Sequence, residues 1–472
     1  MKNYIKILLS IGAFSLLVSA CSKSFLELQP PSQIPNNEAI VDEQSMQTAV
    51  NGIYSSLRAV DFFGRSIPID GDLLADNIYI DPAQNSNRYI QEFTYTYIAT
   101  NGDVQSTWTE AYNTILRCNN VINAPVPSSP VADQLKGEAL TVRAMSYFEL
   151  AKFFAPPISV DPAALAVPLV LKYDPFLKPP RNTVAEVYTQ IENDLTSAYT
   201  LMTDETKNSS YVTKYVAGSL LARLYQFEGD WNKAWASAFD VVTNGGYSLT
   251  DSASLGNYWS NPFPVSNRLE TVFEVEFDNI GNNGPDNLSA FYSQDGYGDA
   301  LVTDNLANTY SPTDARSKLI ITASRAGRNV LVCNKYPNTS NPNGKDNTKI
   351  IRYAEVLLIL AEAYNRTGDD NSARQTLNQL ATTRDPQFPG YSSSGPTLLN
   401  DIYAERRKEL AFEGHRYWDL VRFGQDVVRD NSTNNYASFV PLTLPASSTK
   451  RIFPIPQAEL NANKAMVQNP GY

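Results

Sequence analysis

Histidine and cysteine are scarce in this sequence, and their scarcity limits the chemistry available to the protein. The 472 residues include one histidine, His415, and three cysteines, Cys21, Cys118 and Cys333. His415 lies in a dense run of charged and aromatic residues that we assign to packing. A Ser-His-Asp triad, a Cys-His pair and a multi-histidine metal site therefore have no histidine to use. A phosphate-binding loop of the G-x-x-x-x-G-K-[ST] type is also absent.

Basic residues are too few for a protein that binds polyanions. Lysine and arginine number 38 against 49 aspartates and glutamates, a net charge of −11. Removal of residues 1–20, which hold two lysines and no acid, leaves 36 basic and 49 acidic residues, a net charge of −13. Nucleic acids and anionic lipid headgroups require clustered positive charge, so this balance opposes both. It suits a soluble module that meets a neutral ligand.

Long apolar runs are missing after the N-terminus. The apolar run at 7–18 follows Lys2 and Lys6, is short for a bilayer span, and has the length of a signal peptide. It ends in Val18-Ser-Ala-Cys21, which is a lipobox. The sequence predicts a lipoprotein signal peptide at 1–20, lipidation of Cys21 and an extended polar tether at 21–36. An ordinary secretory signal that happens to precede a cysteine is the alternative.

The segment 405–423 is the most informative part of the chain. Four arginines and several acids alternate there with leucines and aromatic residues. Buried ions must be paired and hydrogen-bonded, so we expect a buried charge network that includes Glu413 and Arg416. Gly414 is expected to divide the segment into two helical pieces. The alternative is an active site with Glu413 and His415 as acid and base.

Three C-terminal blocks, at 352–365, 405–422 and 455–472, resemble the signature of the RagB/SusD family, the surface glycan-binding lipoproteins of Bacteroidetes nutrient-uptake systems. The pattern E-R-R-x-E-L-x-F-E-G-x-R-x-x-D-L-x-R matches residues 405–422. Residues 352–365 resemble the family's R-x-A-E-V-x-L-x-x-A-E-A-x-N helix, and 455–472 resemble its closing I-P-x-x-E segment ending in Q-N-P-G-Y. Residues 21–30 resemble its mature start, C-x-x-x-F-L-x-x-x-P. Family members displayed on the cell surface often carry acidic residues directly after the acylated cysteine. Here the first acid is Glu27, so surface exposure rests on the family resemblance more than on an export signal.

The periodicity predicts a mostly α-helical protein with one large body. No composition shift of the linker kind divides the chain, so we place a single domain at 37–472, with an N-terminal part at about 37–245 and a C-terminal part at about 246–472. Residues 272–277 alternate as a half-buried strand does, which assigns Phe273 and Phe277 to the core. Helix-period patterns occur at 38–59, 104–123, 131–154, 184–202, 212–227, 231–243, 353–366, 370–383 and 397–423.

Two helix pairs follow the tetratricopeptide pattern. In 221–238 and in 360–377 a tyrosine precedes Gly-Asp by the same step, and a small residue follows the glycine by five. Small residues let antiparallel helices approach, and Gly-Asp makes the turn and caps the second helix. The family resemblance implies a scaffold of several such pairs with loops and short strands on one side. Cys118 and Cys333 are expected to act as small buried hydrophobic residues, although two cysteines would allow one disulfide.

Two loop-rich stretches combine aromatic rings with amides and carboxylates, the mixture that sugars need. Their rings offer stacking surfaces for sugar C–H faces, and their polar groups offer partners for hydroxyls. They lie at 70–97 and within 245–310, where Phe291-Tyr-Ser-Gln-Asp-Gly-Tyr-Gly-Asp299 is typical. Among the aromatic candidates Tyr292, Tyr297 and Trp259, we expect at least one to belong to the core, and Trp259 first of all. The predicted ligand-binding residues are Asp72, Asp76, Asn77, Tyr79, Trp259, Tyr292, Asp295 and Tyr297.

These observations predict a non-catalytic glycan-capture lipoprotein, lipid-anchored to the outer membrane and facing the cell surface. The resemblance implies a SusC-like TonB-dependent transporter as partner, with this protein as its hinged lid and an oligosaccharide trapped between them. The alternatives are a peptide-capturing relative and an extracytoplasmic glycosidase. No cofactor is expected. Calcium could bind the acidic clusters at 70–72 or 369–371, but neither cluster has the residue spacing of a calcium-binding loop.

Overall fold

The structure is a computed structural model that describes residues 39–81, 84–203, 208–342 and 345–472. The predicted signal peptide, Cys21 and the tether up to residue 36 lie outside the described residues. Within the described ranges no helix combines the length and the apolar character that crossing a membrane requires.

Helices dominate the described chain, and the predicted helices are confirmed to within a few residues at their ends, except for the last pattern, which divides in two. Short helices that the periodicity did not predict occur mainly between residues 60 and 95 and between 255 and 310. The helices are α1 (Glu43–Leu57), α2 (Ser66–Leu73), α3 (Ile90–Thr94), α4 (Gly102–Ile122), α5 (Pro130–Phe154), α6 (Val184–Leu201), α7 (Lys214–Glu228), α8 (Trp231–Asn244), α9 (Leu255–Ser260), α10 (Leu288–Tyr292), α11 (Asp304–Ala307), α12 (Tyr353–Arg366), α13 (Asp370–Arg384), α14 (Gly395–Glu409), α15 (Arg416–Arg422) and α16 (Gln457–Ala462).

The long helices begin where side chains satisfy their first backbone amides. Asn101 accepts from the amide of Val104 at 2.7 Å at the start of α4, and Ser129 accepts from that of Ala132 at 3.1 Å at the start of α5. A capping box between Thr183 and Glu186 starts α6. These contacts lie within three residues of sequence, which is why the sequence predicts the helix starts well.

The two predicted tetratricopeptide-like pairs are α7 with α8 and α12 with α13. Gly229 and Gly368 make the turns with φ of +76° and +91°, conformations that glycine adopts without strain. Asp230 and Asp369 then cap the second helix of each pair, as predicted. The pairs pack against each other through α8 and α12, although the chain from residue 245 to residue 352 separates them. Together they form one helical scaffold.

Within the described residues, short strands form three small antiparallel sheets. The strands are β1 (Ile78–Tyr79), β2 (Thr271–Val275), β3 (Leu301–Val302), β4 (Ile320–Arg325), β5 (Arg328–Cys333), β6 (Thr348–Arg352), β7 (Val427–Val428) and β8 (Thr443–Leu444). The four-stranded sheet has the order β1-β3-β5-β4, and the other sheets pair β2 with β6 and β7 with β8. Phe273 in β2 and the nearby Phe277 are buried, as predicted.

Cys118 and Cys333 are both buried and unpaired, so the predicted role as small hydrophobes is confirmed. Cys118 belongs to the main core, which the long helices form, and Cys333 to a second core beneath the loops. Burial raises the pKa of both thiols well above its ordinary value. Neither is a reactive thiolate at neutral pH.

A buried ion network joins the helical scaffold to the loop-rich side. Glu409, at the end of α14, accepts from Arg316 at 3.0 Å, Arg352 at 2.8 Å and Arg384 at 3.0 Å. Burial alone would raise the pKa of Glu409, but these three guanidinium groups hold that pKa well below its usual value. Glu270 binds Arg352 and Arg384 from β2's side, at 2.8 and 2.7 Å. The predicted charge network therefore exists, and its members are packed rather than exposed.

Glu413 and Arg416 have different partners in this network. Glu413 is buried but pairs with Arg352 at 2.6 Å and with Lys335 at 2.6 Å. Arg416 instead pairs with Asp76 at 2.7 Å, near the protein surface, and the Arg416 side chain is 15% exposed. Gly414 lies between them with φ of +77° and separates α14 from α15, as predicted. Burial and two neighbouring arginines lower the pKa of His415, so this imidazole is neutral at physiological pH.

Candidate ligand-binding face

The structure packs the two predicted ligand-binding stretches against each other. The carboxylate of Asp299, at the end of the second stretch, accepts from the backbone amide of Ser86 in the first at 2.9 Å. Arg325 of β4 holds the same loop, since it donates to the carbonyls of Tyr297 at 3.0 Å and Gly298 at 2.7 Å. It also pairs with Asp299 at 2.8 Å. Residues more than 200 positions apart thus form one surface.

Tyr297 is the aromatic centre of this surface. The guanidinium of Arg88 lies 4.0 Å from the centroid of its ring, and its hydroxyl donates to Asp286 at 3.4 Å. Asp286 also binds Arg65 at 2.8 Å and lies 3.6 Å from Arg88. The side chains of Arg88 and Asp286 are 36% and 38% exposed. We call Arg88, Asp286, Asp295 and Tyr297 the ligand face.

The groups of the ligand face suit a polyhydroxylated ligand. An arginine presents donors in a fixed plane, and a carboxylate accepts from two hydroxyls at once. The ion pairs to Asp286 hold both groups beside the ring of Tyr297. Asp295 is exposed on the same loop and accepts from the hydroxyl of Ser340 at 3.3 Å. Polar partners and an aromatic surface therefore lie together at the protein surface.

Tyr79, another predicted ligand residue, lies at a different position. It belongs to β1, is half-buried, and packs edge-on against Tyr436 with ring centroids 6.1 Å apart. Burial raises the pKa of its phenol, and a hydrogen bond with Asn435 opposes that shift. The structure does not bring Tyr79 into the ligand face as defined above.

Three of the predicted residues form a buried cluster in the second core. Trp259 is 2% exposed and Tyr292 is 0% exposed, and both rings pack on Tyr336, with centroids 6.0 and 5.6 Å away. The Tyr292 hydroxyl donates to Asp72 at 2.9 Å. The expectation that Trp259 belongs to the core is confirmed. Contact of Trp259, Tyr292 and Asp72 with a ligand stays a prediction, since it requires these side chains to leave their packing.

Asp72 has an unusual ionisation because of this burial. Burial raises the pKa of its carboxyl to about 7, although the hydroxyl of Tyr292 and the backbone amide of Gly414 both donate to it and oppose the shift. The Gly414 amide lies 3.1 Å away. Asp72 therefore links the second core to the turn between α14 and α15, and its charge changes near neutral pH.

Asp76 and Asn77 are also buried, but next to a different surface. Asp76 accepts from Arg416 at 2.7 and 2.9 Å and lies 3.5 Å from Arg407. Asn77 accepts from Arg407 at 2.8 Å. Burial would raise the pKa of Asp76, but Arg416 and Arg407 keep it below its ordinary value. Both predicted residues thus support arginines, and their direct contact with a ligand remains a prediction.

Within the described ranges, no group of three or more His, Cys, Asp or Glu side chains is placed to hold a metal ion. Asp70 and Asp72 are buried in α2, and Asp369 caps α13. Neither acidic cluster considered for calcium forms a cage of oxygen ligands.

The predicted ligand-binding residues did not include Arg88 and Asp286 of the ligand face, or Arg65, which binds Asp286. A single arginine in a loop carries no signal of its own, and the partner that fixes Arg88 is about 200 residues away. The signal that could have found Asp286 is its position in an Asn- and Gly-rich loop just before the predicted aromatic segment.

Comparisons with known proteins identify the family. The sequence model of a family described as "Starch-binding associating with outer membrane" matches residues 24–226, and that of the "SusD family" matches residues 326–472. A crystal structure from Bacteroides vulgatus is 30% identical, with 92% of this chain and 99% of that chain covered and a TM-score of 0.83. The chain belongs to the SusD family.

Other members of the SusD family agree in fold and length. A SusD superfamily protein from Bacteroides thetaiotaomicron is 27% identical, with a TM-score of 0.83 and coverage of 91% of this chain and 100% of that chain. A SusD-like protein, P2, from Formosa agariphila is 26% identical over 97% of this chain and 98% of its own. The predicted mostly helical SusD-like fold, with its short strands, is confirmed.

Proposed function

We propose that this protein captures oligosaccharides at the outer membrane, without cleaving them, through the ligand face. The observation that carries the proposal is the joining of the two loop stretches around Tyr297, Arg88 and Asp286. An aromatic ring beside a fixed guanidinium and a fixed carboxylate offers both a stacking surface and paired hydrogen-bonding groups. A sugar requires both kinds of contact.

Family membership supports the ligand class and the location. One of the two matching family models is described as starch-binding and as associating with the outer membrane. The lipobox at 18–21 supports attachment through a lipidated Cys21, and the SusD scaffold supports a partner of the SusC-like TonB-dependent transporter class. In this proposal the protein closes over the transporter as a lid and releases the bound oligosaccharide into it.

Calorimetric titration of the purified protein against a panel of neutral oligosaccharides and short peptides tests the proposal. We expect binding of at least one oligosaccharide and no peptide, with no hydrolysis products after prolonged incubation. Tyr297→Ala should weaken that binding about tenfold, the loss of one stacking contact. Tyr173→Ala removes a tyrosine from another loop, 52% exposed, and serves as the matched control.

Three results would contradict the proposal. Binding of peptides alone would assign the protein to peptide capture, and release of shortened glycans would make it an enzyme. Equal affinities for the wild type, Tyr297→Ala and Arg88→Ala would move the binding site away from the ligand face.

A further inference from the structure

A recess of about 360 Å³ lies beside α14 and α15, and its charge is opposite to that of the protein as a whole. Three cations line it: Arg407 and Lys408 of α14 and Arg416 of α15. Among the described residues that line it, none is an aspartate or a glutamate. We call it the basic recess. A net charge of −11 makes such a surface unexpected in this chain.

The buried acids behind the basic recess do not neutralise its cations one for one. Arg407 and Arg416 share a single carboxylate, Asp76, at 3.5 and 2.7 Å. Lys408 pairs with Glu405 at 2.7 Å; Glu405 also binds Arg316 at 2.6 Å, but Arg316 has Asp314 and Glu409 as further partners, so the surplus comes from the two arginines that share Asp76. The side chains of the three cations are 15–18% exposed, so a positive surplus reaches solvent.

Aromatic rings form another wall of the recess. Tyr403 and Phe423 stack with centroids 3.6 Å apart and planes 26° apart. Asn400 and Gln425 are exposed at the same recess and provide neutral donors and acceptors. Cations, an aromatic wall and amides thus face one volume that has room for a single pyranose ring.

We propose that the basic recess binds an anionic sugar unit, such as a uronic acid or a sulfated pyranose. The carboxylate or sulfate pairs with Lys408 and the two arginines, because charge-assisted hydrogen bonds from such donors are the strongest that a protein offers to these groups. The sugar ring lies against Tyr403 and Phe423 and meets the amides through its hydroxyls. This inference takes its ligand class from the proposed function but assigns a second site, separate from the ligand face.

The electrostatics around Arg407 support this inference. Burial lowers the pKa of Arg407, and the neighbouring positive charge of Arg416 lowers it further, while Asp76 opposes both. A bound anion would relieve the repulsion between the two guanidinium groups. The hydrogen bond from Arg416 and the positive charges of Arg416 and Arg407 explain why Asp76, although buried, stays ionised beside them.

Titration of the purified full chain with sodium glucuronate, glucose and inorganic sulfate tests the inference. We expect glucuronate to bind at least about tenfold more tightly than glucose, with an affinity that falls as sodium chloride is raised. Lys408→Glu should weaken glucuronate binding at least about tenfold, and Lys408→Arg should retain it. Lys464→Glu makes the same charge change at an exposed lysine outside the recess and should have no effect.

Gln425→Glu places a carboxylate at the recess without removing an ion pair, so it gives the same test if Lys408→Glu fails to fold. Equal affinities for glucuronate and glucose, or a Gln425→Glu protein that binds glucuronate as the wild type does, would overturn the inference. If inorganic sulfate bound as tightly as glucuronate, the basic recess would recognise the anion alone and the assignment to a sugar would be wrong. Loss of glucuronate binding in Tyr297→Ala would place the anion at the ligand face, and the proposed function would then survive without the second site.

Discussion

Gly71 and Gly414 lie so close that a Cβ atom on Gly71 would overlap the carbonyl oxygen of Gly414. Gly71 is in α2, which also carries Asp72, and Gly414 is the turn between α14 and α15. A Cβ on Gly414 would lie 2.6 Å from the Cα of Pro68 in the same helix. This contact between two backbones holds residues 405–422 against α2, the helix that contributes Ile69 and Leu73 to the second core.

Alanine at either glycine should therefore destabilise the protein. Gly71→Ala forces two backbones apart, and Gly414→Ala adds a strained positive φ to the same collision, so we expect a loss of at least about 2 kcal/mol in each. Urea unfolding measures the change. Gly256→Ala, in an exposed helix position with nothing within 4 Å of its Cβ, is the control and should be neutral or slightly stabilising. Stabilities of all three variants equal to the wild type would show that the contact is not close.

Glu413 and Arg416 should differ in their effect on stability. Glu413→Ala leaves Arg352 and Lys335 buried with one carboxylate fewer, which costs about 3–5 kcal/mol. Arg416→Ala costs less, because Asp76 keeps Arg407 and the guanidinium of Arg416 is near the surface. Thermal unfolding of the two variants, with Arg366→Ala as an exposed control, checks this order. A larger loss from Arg416→Ala would reverse our assignment of the two residues.

Asp72 should make the stability fall as pH rises towards neutrality. Its pKa is about 7 in the fold against 3.8 in the unfolded chain, so its contribution is fully present below about pH 4 and is lost as pH rises to about 7. Asp72→Asn removes this titration. The difference in unfolding free energy between wild type and Asp72→Asn should shift against the wild type by about 2–3 kcal/mol between pH 5 and pH 7, and stay constant above pH 8. A difference that does not vary with pH would mean an ordinary pKa.

Trp259 should act on stability and Tyr297 on binding. Trp259→Ala leaves a cavity beneath Lys335 and Arg352, whose cationic groups lie 4.6 and 5.2 Å from its ring centroid, so we expect a loss of about 3–5 kcal/mol. Tyr297→Ala removes a half-buried surface ring and should lower the melting temperature little. Calorimetric unfolding of both variants separates the two roles. A wild-type melting temperature in Trp259→Ala would argue that Trp259 reaches the surface.

Cys21 should determine attachment to the membrane. Cys21→Ala prevents acylation, and the lipid chains are the proposed anchor, so the protein should move to the soluble fraction with an unchanged circular dichroism spectrum. Ser22→Ala, which keeps the cysteine, is the control and should remain with the membranes. Unchanged membrane fractionation of Cys21→Ala would refute the anchor.

The sequence determined most of the helices, and it showed that residues 405–423 belong to a charge network, because those signals are local. Caps at Asn101 and Thr183 act within three residues, and the Gly-Asp turns at 229 and 368 follow the same rule. It missed α2, whose eight residues, with a proline, a glycine and two acids, show no helical stripe because all of them are buried. A fully buried short helix leaves no alternation between polar and apolar faces to recognise.

Only the tertiary structure decided which polar and aromatic residues reach the surface. Tyr292, the last residue of α10, and Tyr297 lie only five residues apart, yet the first is buried against Asp72 and the second lies under Arg88. Glu413 pairs with Arg352 across 61 residues of chain, and the two stretches predicted to bind ligand are in contact across more than 200. Burial and ion pairing depend on contacts between residues far apart in sequence, which local pattern and spacing do not contain. The sequence by itself thus determined the family and the long helices, and the packing of distant segments decided which polar and aromatic side chains are exposed.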